Sequence, residues 1–152
     1  MTVARAIAYG GLVVGVLDIA DAFIFFGLRG ARPVRILQSI AAGLLGRQSF
    51  AGGWPTAALG LALHFFIATT IVAVFVLASR RLPMLVRAPV VTGLAYGLAA
   101  WLVMNFVVLP LSAAGQPTFR WPIVTNGILI HMFGVGLPSA LFARAASKGA
   151  AW

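Results

Sequence analysis

Four apolar stretches, each about 20 residues long and so able to cross the ~30 Å hydrocarbon core of a bilayer, constrain this chain more than any other feature. They cover residues 6–28, 54–79, 89–112 and 123–145. In hydrocarbon each backbone N–H and C=O must find its partner within the protein, which leaves only helices or a closed barrel. This pattern in a chain of this size cannot close a barrel, so the spans are helices. The composition agrees: 62% of residues are apolar and 9% charged, with a mean hydropathy of +1.05, against about 25% charged in soluble domains. The predicted fold is an all-α, four-helix transmembrane bundle whose surroundings are the lipid bilayer. Its 152 residues suit a single domain, 1–152.

The three connections differ. Residues 80–88 are short and basic, with Pro83 and Pro89 as punctuation, and residues 115–122 make a short polar turn. The first connection is long, and within it residues 33–46 predict a separate short helix between spans 1 and 2. Pro33 suits a first helical position. Ile36, Leu37, Ile40, Leu44 and Leu45 recur at helical spacing, with Arg35, Gln38 and Ser39 towards another side. Too short to span, it reads as an interfacial helix lying on the bundle.

The two halves of the chain resemble each other. Gly11 and Gly15 in span 1 match Gly93 and Gly97 in span 3, and Gly60 and His64 in span 2 match Gly127 and His131 in span 4, each pair four residues apart. Half two lacks a counterpart of the short helix. Each half has two spans, so a duplication would be a parallel repeat about the membrane normal.

The net charge of +9 comes from eleven Lys and Arg against only two acidic residues. The bases mark the ends of apolar segments, as topology determinants do, and form no patch with interleaved aromatics, so nucleic acid is not an expected partner. Placing both termini in the cytoplasm puts Arg80, Arg81 and Arg87 in one short inner loop, where the positive-inside rule is strongest. Cysteine is absent, which excludes disulfides and thiolate chemistry. The first span holds both acids and continues into Phe23–Phe26 without a convincing cleavage site, so it reads as a retained helix.

Those two acids, Asp18 and Asp21, lie inside span 1. A carboxylate at the centre of a span costs roughly 2.5–3.5 kcal/mol on insertion scales. At 1.5 Å per residue, Asp18, Asp21, His64, Asn105 and His131 all fall roughly 10–15 Å below the side that carries the long connection. The four spans therefore contribute one polar layer.

Four uses of these residues follow. Buried Asp–His and Asn–backbone bonds can hold helices together, and Gly11, Gly15, Gly93 and Gly97 read as close-packing positions. His64 and His131, each with a glycine one turn earlier (Gly60, Gly127), could ligate a b-type haem in an electron-transfer subunit. Two His and two carboxylates could instead hold a divalent metal. Intramembrane Asp and His also serve as proton or ion relays, here in an oligomer. No nucleophile stands beside a base, and neither HExxH nor a phosphate loop occurs, which points away from an enzyme. The sequence reading is a small non-catalytic membrane protein, an accessory subunit of a larger complex or the protomer of a homo-oligomer.

The strings ILQSIAAGLLG (36–46), GLALHFFIA (60–68), MNFVVLPLSA (104–113) and HMFGVGLPSAL (131–141) resemble a family of small bacterial four-span inner-membrane proteins of unknown function. The resemblance covers most of the chain. It implies a multi-pass protein of the bacterial inner membrane and carries no activity or site residue with it.

Overall fold

Thr2 starts the first helix: its hydroxyl accepts the Arg5 backbone N–H at 3.3 Å, supplying one of the partners a helix N-terminus lacks. The helix, α1, runs Val3–Gly27 and gives way to a turn at Gly30, where φ is +89°. Pro33 then opens α2, Pro33–Leu45. It ends at Gly46, whose φ of +60° is available to glycine at little cost. A tight turn, Gly46–Ala51, leads into α3, Gly53–Arg81. The basic connection contains one helical turn, Met84–Arg87. Pro89 opens α4, Pro89–Leu111, and Pro122 stands in the first turn of α5, Trp121–Gly149.

The computed structural model describes residues 1–149, so the last three residues of the expected domain lie outside the described residues. The described residues are 87% helical, without a strand among them. Four helices, α1, α3, α4 and α5, are long and apolar enough to cross a membrane. The expected spans match them to within a few residues at each end.

Glycines set how these helices meet. A Cβ on Gly11 would press on Thr69 and one on Gly15 on the Phe65 ring, so α1 lies close to α3. Gly93 and Gly97 face the backbone of α5 at Gly136 and His131, and Gly136 faces Gly93 and Gly97 in return. Without a hydrophobic drive between helices in lipid, such close backbone approach is a main source of association. The two contacts fall at matching positions of the two halves: Gly15 meets the helix that carries His64, and Gly97 meets the backbone of His131. The halves differ at the other glycine. Gly60 lies against the backbone of α2 at Leu37, whereas Gly127 lies against the Trp101 indole. Trp101 thus fills in half two the place that α2 takes in half one.

α2 rests on α3, but with a different face from the expected one. Ile36, Leu37, Gln38, Ala41 and Ala42 are buried, while Leu44 and Leu45 are exposed. Gln38 is turned inward because its amide has two acceptors there, the Gly53 carbonyl at 3.0 Å and the Thr56 hydroxyl at 3.3 Å. The end of α2 is tied to the α4–α5 connection by the Ala113 N–H, which donates to the Gly43 carbonyl at 3.0 Å.

The buried side chains form two clusters. One contains Val14, Val72, Phe75, Val76, Val135 and Ala140, at the end of the bundle away from α2. The other contains Ile19, Leu37 and Ala57, beneath α2. Along α1 and α3, Asp18 and His64 fall between them.

The glycine contacts predict a contrast. Gly97→Val should destabilise the bundle by at least about 1–3 kcal/mol, the usual penalty of overpacking. Gly43→Ala, where an added Cβ meets nothing within 4 Å, should stabilise α2 by roughly 0.5–1 kcal/mol through propensity. Reversible unfolding of both variants in detergent checks this, and equal effects would contradict it.

Candidate functional site

Side chains at positions 18 and 21 of α1 lie near each other on the helix, yet the structure gives them different partners. Asp21 accepts from the Asn126 amide of α5 at 2.7 Å, a partly buried bond between helices. Asp18 faces α3, where its Oδ2 lies 3.9 Å from His64 Nδ1. The polar layer is therefore two devices: an α1–α5 clasp at Asp21, and a site at Asp18.

The His64 ring is buried, at 8% exposure. Its Nε2 lies 2.8 Å from the Gly15 carbonyl oxygen. A carbonyl oxygen can only accept, so Nε2 carries the hydrogen. In the neutral ring Nδ1 then holds the lone pair, and it is Nδ1 that faces the Asp18 carboxyl. Any further proton on this pair sits on Nδ1 or on Asp18. The glycine is what permits the bond, because a side chain at position 15 would collide with Phe65 and hold the helices apart.

His131 is set the other way. Its Nδ1 lies 2.9 Å from the Gly127 carbonyl of its own helix, so Nδ1 carries the hydrogen and Nε2 the lone pair. Asn105 likewise donates to its own helix, to the Trp101 carbonyl at 2.9 Å. Both residues fall in a widened turn with i→i+5 bonding, Met104–Val108 in α4 and His131–Gly136 in α5. Each widened turn is followed by Leu-Pro, at 109–110 and 137–138. Proline lacks an N–H and crowds the carbonyl four residues back. Widening the turn before it relieves that crowding, and such turns recur at functional sites. Pro138 thus stands inside α5, which continues to Gly149, whereas Pro110 stands one residue before α4 ends at Leu111.

Asp18, His64, Asn105 and His131 all line one cavity of about 330 Å³, together with apolar side chains of all five helices. The size is at the lower end of small-molecule sites. The lining is chiefly Val, Ile, Leu, Phe and Met, with no Lys or Arg. Ser39 of α2 adds a hydroxyl, which itself donates to the Ile36 carbonyl at 2.6 Å. Asp21 is absent from the lining.

The residues present do not fit a bis-histidine haem. His64 Nε2 is committed to Gly15 and its Nδ1 faces a carboxyl. The space beside Gly60 is taken by Leu37 and that beside Gly127 by Trp101, so neither glycine leaves a slot for a macrocycle. Among the described residues no three His, Asp or Glu side chains converge as metal ligands would.

Two residues that make polar contacts between helices, Asn126 and Tyr96, are not in the expected layer. Asn126 stands five residues into α5 and Asp21 six before the end of α1, so both lie roughly 8–9 Å from the same helix ends. That match in depth was the available signal. Tyr96 donates from α4 to the Ile71 carbonyl of α3 at 2.7 Å. Its depth, on the other side of the bundle's centre, separates it from the layer. No family model, curated protein or solved structure matches the chain.

The clasp is testable by a double-mutant cycle. Asp21→Leu and Asn126→Leu should each destabilise the protein, and the pair should couple by about 0.6–1.7 kcal/mol, the range for hydrogen bonds between membrane helices. Zero coupling would contradict the bond.

Proposed function

We propose that this multi-pass membrane protein is a non-catalytic, proton-handling transport protein, with Asp18 and His64 as the residues that take up and release the proton. One observation carries the reading. The Gly15 carbonyl fixes the hydrogen on His64 Nε2, which leaves Nδ1 and the Asp18 carboxyl, 3.9 Å apart, as the two places for a mobile proton. Both side chains border open space rather than a filled core. The proton can sit on Asp18 beside neutral His64, or on Nδ1 beside the Asp18 carboxylate. Its departure leaves one negative charge. Ionisable groups inside a membrane span usually mark such pathways.

The titratable groups at this cavity are Asp18 from α1, His64 from α3 and His131 from α5. α4 contributes the amide of Asn105, and α2 the hydroxyl of Ser39. The proposal places the protein in a bacterial inner membrane with both termini cytoplasmic. The family resemblance supports the first point, and the cluster of Arg80, Arg81 and Arg87 in one connection supports the second.

A second reading is an accessory subunit or homo-oligomer protomer that docks through α4. The observation in its favour is that only 17% of the most apolar window of α4 is buried within the chain, against 33% for α5.

Proteoliposomes with a pH-sensitive dye inside and an imposed potassium diffusion potential test the first reading. The protein should speed proton entry over protein-free vesicles, Asp18→Asn should return it to background, and Asp18→Glu should retain part of it. Equal rates in the wild type and Asp18→Asn would contradict the proposal. No flux at all, with a larger complex co-purifying, would favour the second reading.

A further inference from the structure

Several elements bound the cavity. α2 covers it at the long-connection end, held by Gln38 and Arg35, the latter donating to the Phe50 carbonyl at 3.2 Å. The buried cluster around Val72, Phe75 and Val135 closes the other end. The α1–α3 and α4–α5 seams are drawn together by their glycines.

The α3–α4 seam is different. It has no glycine contact, and the Tyr96 hydroxyl and its ring against Phe75, with centroids 4.9 Å apart, bridge it. Beside that bridge lies an apolar groove of about 240 Å³, bordered by Thr70, Val74, Ala99 and Val103. Ile71 and Met104 line both the groove and the cavity, so the two spaces share a wall. Thr70 does not offer its hydroxyl to the groove without competition, since it donates to the Phe66 carbonyl at 2.8 Å.

The charge arrangement selects what this space can hold. Asp18 is the only acidic residue at the cavity, and no Lys or Arg lines either space. When the shared proton leaves, the carboxylate shares the cavity with neutral His64, with His131 and with the Asn105 amide, in an otherwise apolar lining. An anion has no donor cluster to meet, and a strongly hydrated ion has too few ligands. An organic cation with an apolar body satisfies both the charge and the wall.

We infer that the cavity and the α3–α4 groove together form a binding site for an amphipathic organic monocation, its ammonium head at Asp18 and its apolar body extending past Ile71 and Met104 towards the bilayer. The inference rests on reading Asp18 and His64 as the working site. It adds the ligand class and the route: the molecule arrives laterally from the lipid through the α3–α4 seam. Head and proton occupy the same charge, so binding of the cation displaces the proton from the Asp18–His64 pair into solution.

Three probes with one apolar body isolate the charge: 4-phenylbutylammonium, 4-phenylbutanol and 4-phenylbutyrate. Binding is read by calorimetry on the full-length protein in lipid nanodiscs, with empty nanodiscs subtracted and proton release followed in two buffers of different ionisation enthalpy. The cation should bind at least roughly tenfold more tightly than the alcohol or the acid and release protons. Asp18→Asn should weaken it by roughly tenfold or more and abolish proton release. Ala99→Trp, at an exposed position bordering the groove, should also weaken the cation while leaving the far-UV circular dichroism and thermal unfolding of the protein unchanged.

Equal binding of the three probes, or cation binding unchanged in Asp18→Asn, overturns the inference. Cation binding unchanged in Ala99→Trp overturns the placement of the body in the groove and with it the lateral route. No cation binding, with Asp18-dependent proton flux intact, overturns the ligand class and leaves the proton reading standing. Asp18-dependent cation binding without proton flux does the reverse: it supports the site and removes proton transport.

Discussion

The hydrogen bond from His64 Nε2 to the Gly15 carbonyl joins the packing of the bundle to the chemistry of its cavity. It forms because Gly15 has no side chain, so α1 can approach α3 until the Phe65 ring covers the glycine. In hydrocarbon such a bond has no competing water. Because the acceptor is a carbonyl, the bond also settles which ring nitrogen bears hydrogen and turns the other one towards Asp18. A single packing contact thereby determines where a proton can be held. The second half of the chain shows what happens without it. Gly97 abuts the His131 backbone instead, the helix widens ahead of Pro138, and the ring bonds its own helix at Gly127. Equivalent residues end in opposite tautomers.

The spans and their order were legible because membrane thickness sets a length that few other constraints imitate. The gathering of Asp18, His64, Asn105 and His131 was legible from depth alone, since helix rise is nearly constant. Depth carries no azimuth, however. It could not separate Asp21, which turns to Asn126, from Asp18, which turns to the cavity. Asn126 was hidden for a related reason: it stands close to the expected start of span 4, where a polar residue looks like part of the interface.

The helical spacing sets Gln38 with Arg35 and Ser39, towards another side from the apolar positions, yet it is buried where the Gly53 carbonyl and Thr56 hydroxyl accept from it. Apolar periodicity cannot report partners of that kind. The faces of Gly60 and Gly127 are covered by α2 and Trp101. A glycine in sequence records that something comes close, and leaves open whether it is a cofactor or a neighbouring helix. The widened turns were likewise out of reach, since Pro110 and Pro138 are equally compatible with a kink, an end or an i→i+5 turn.

The two histidines hold opposite tautomers, and the His64 Nδ1 lone pair faces Asp18. Solid-state NMR of the protein in lipid bilayers with ¹⁵N-labelled histidine tests this directly, because the chain has only two histidines and therefore four ring nitrogens. Neutral His64 should show its hydrogen on Nε2 and a lone pair on Nδ1, and neutral His131 the reverse assignment. A neutral His64 bearing its hydrogen on Nδ1, with Nε2 unprotonated, would contradict it.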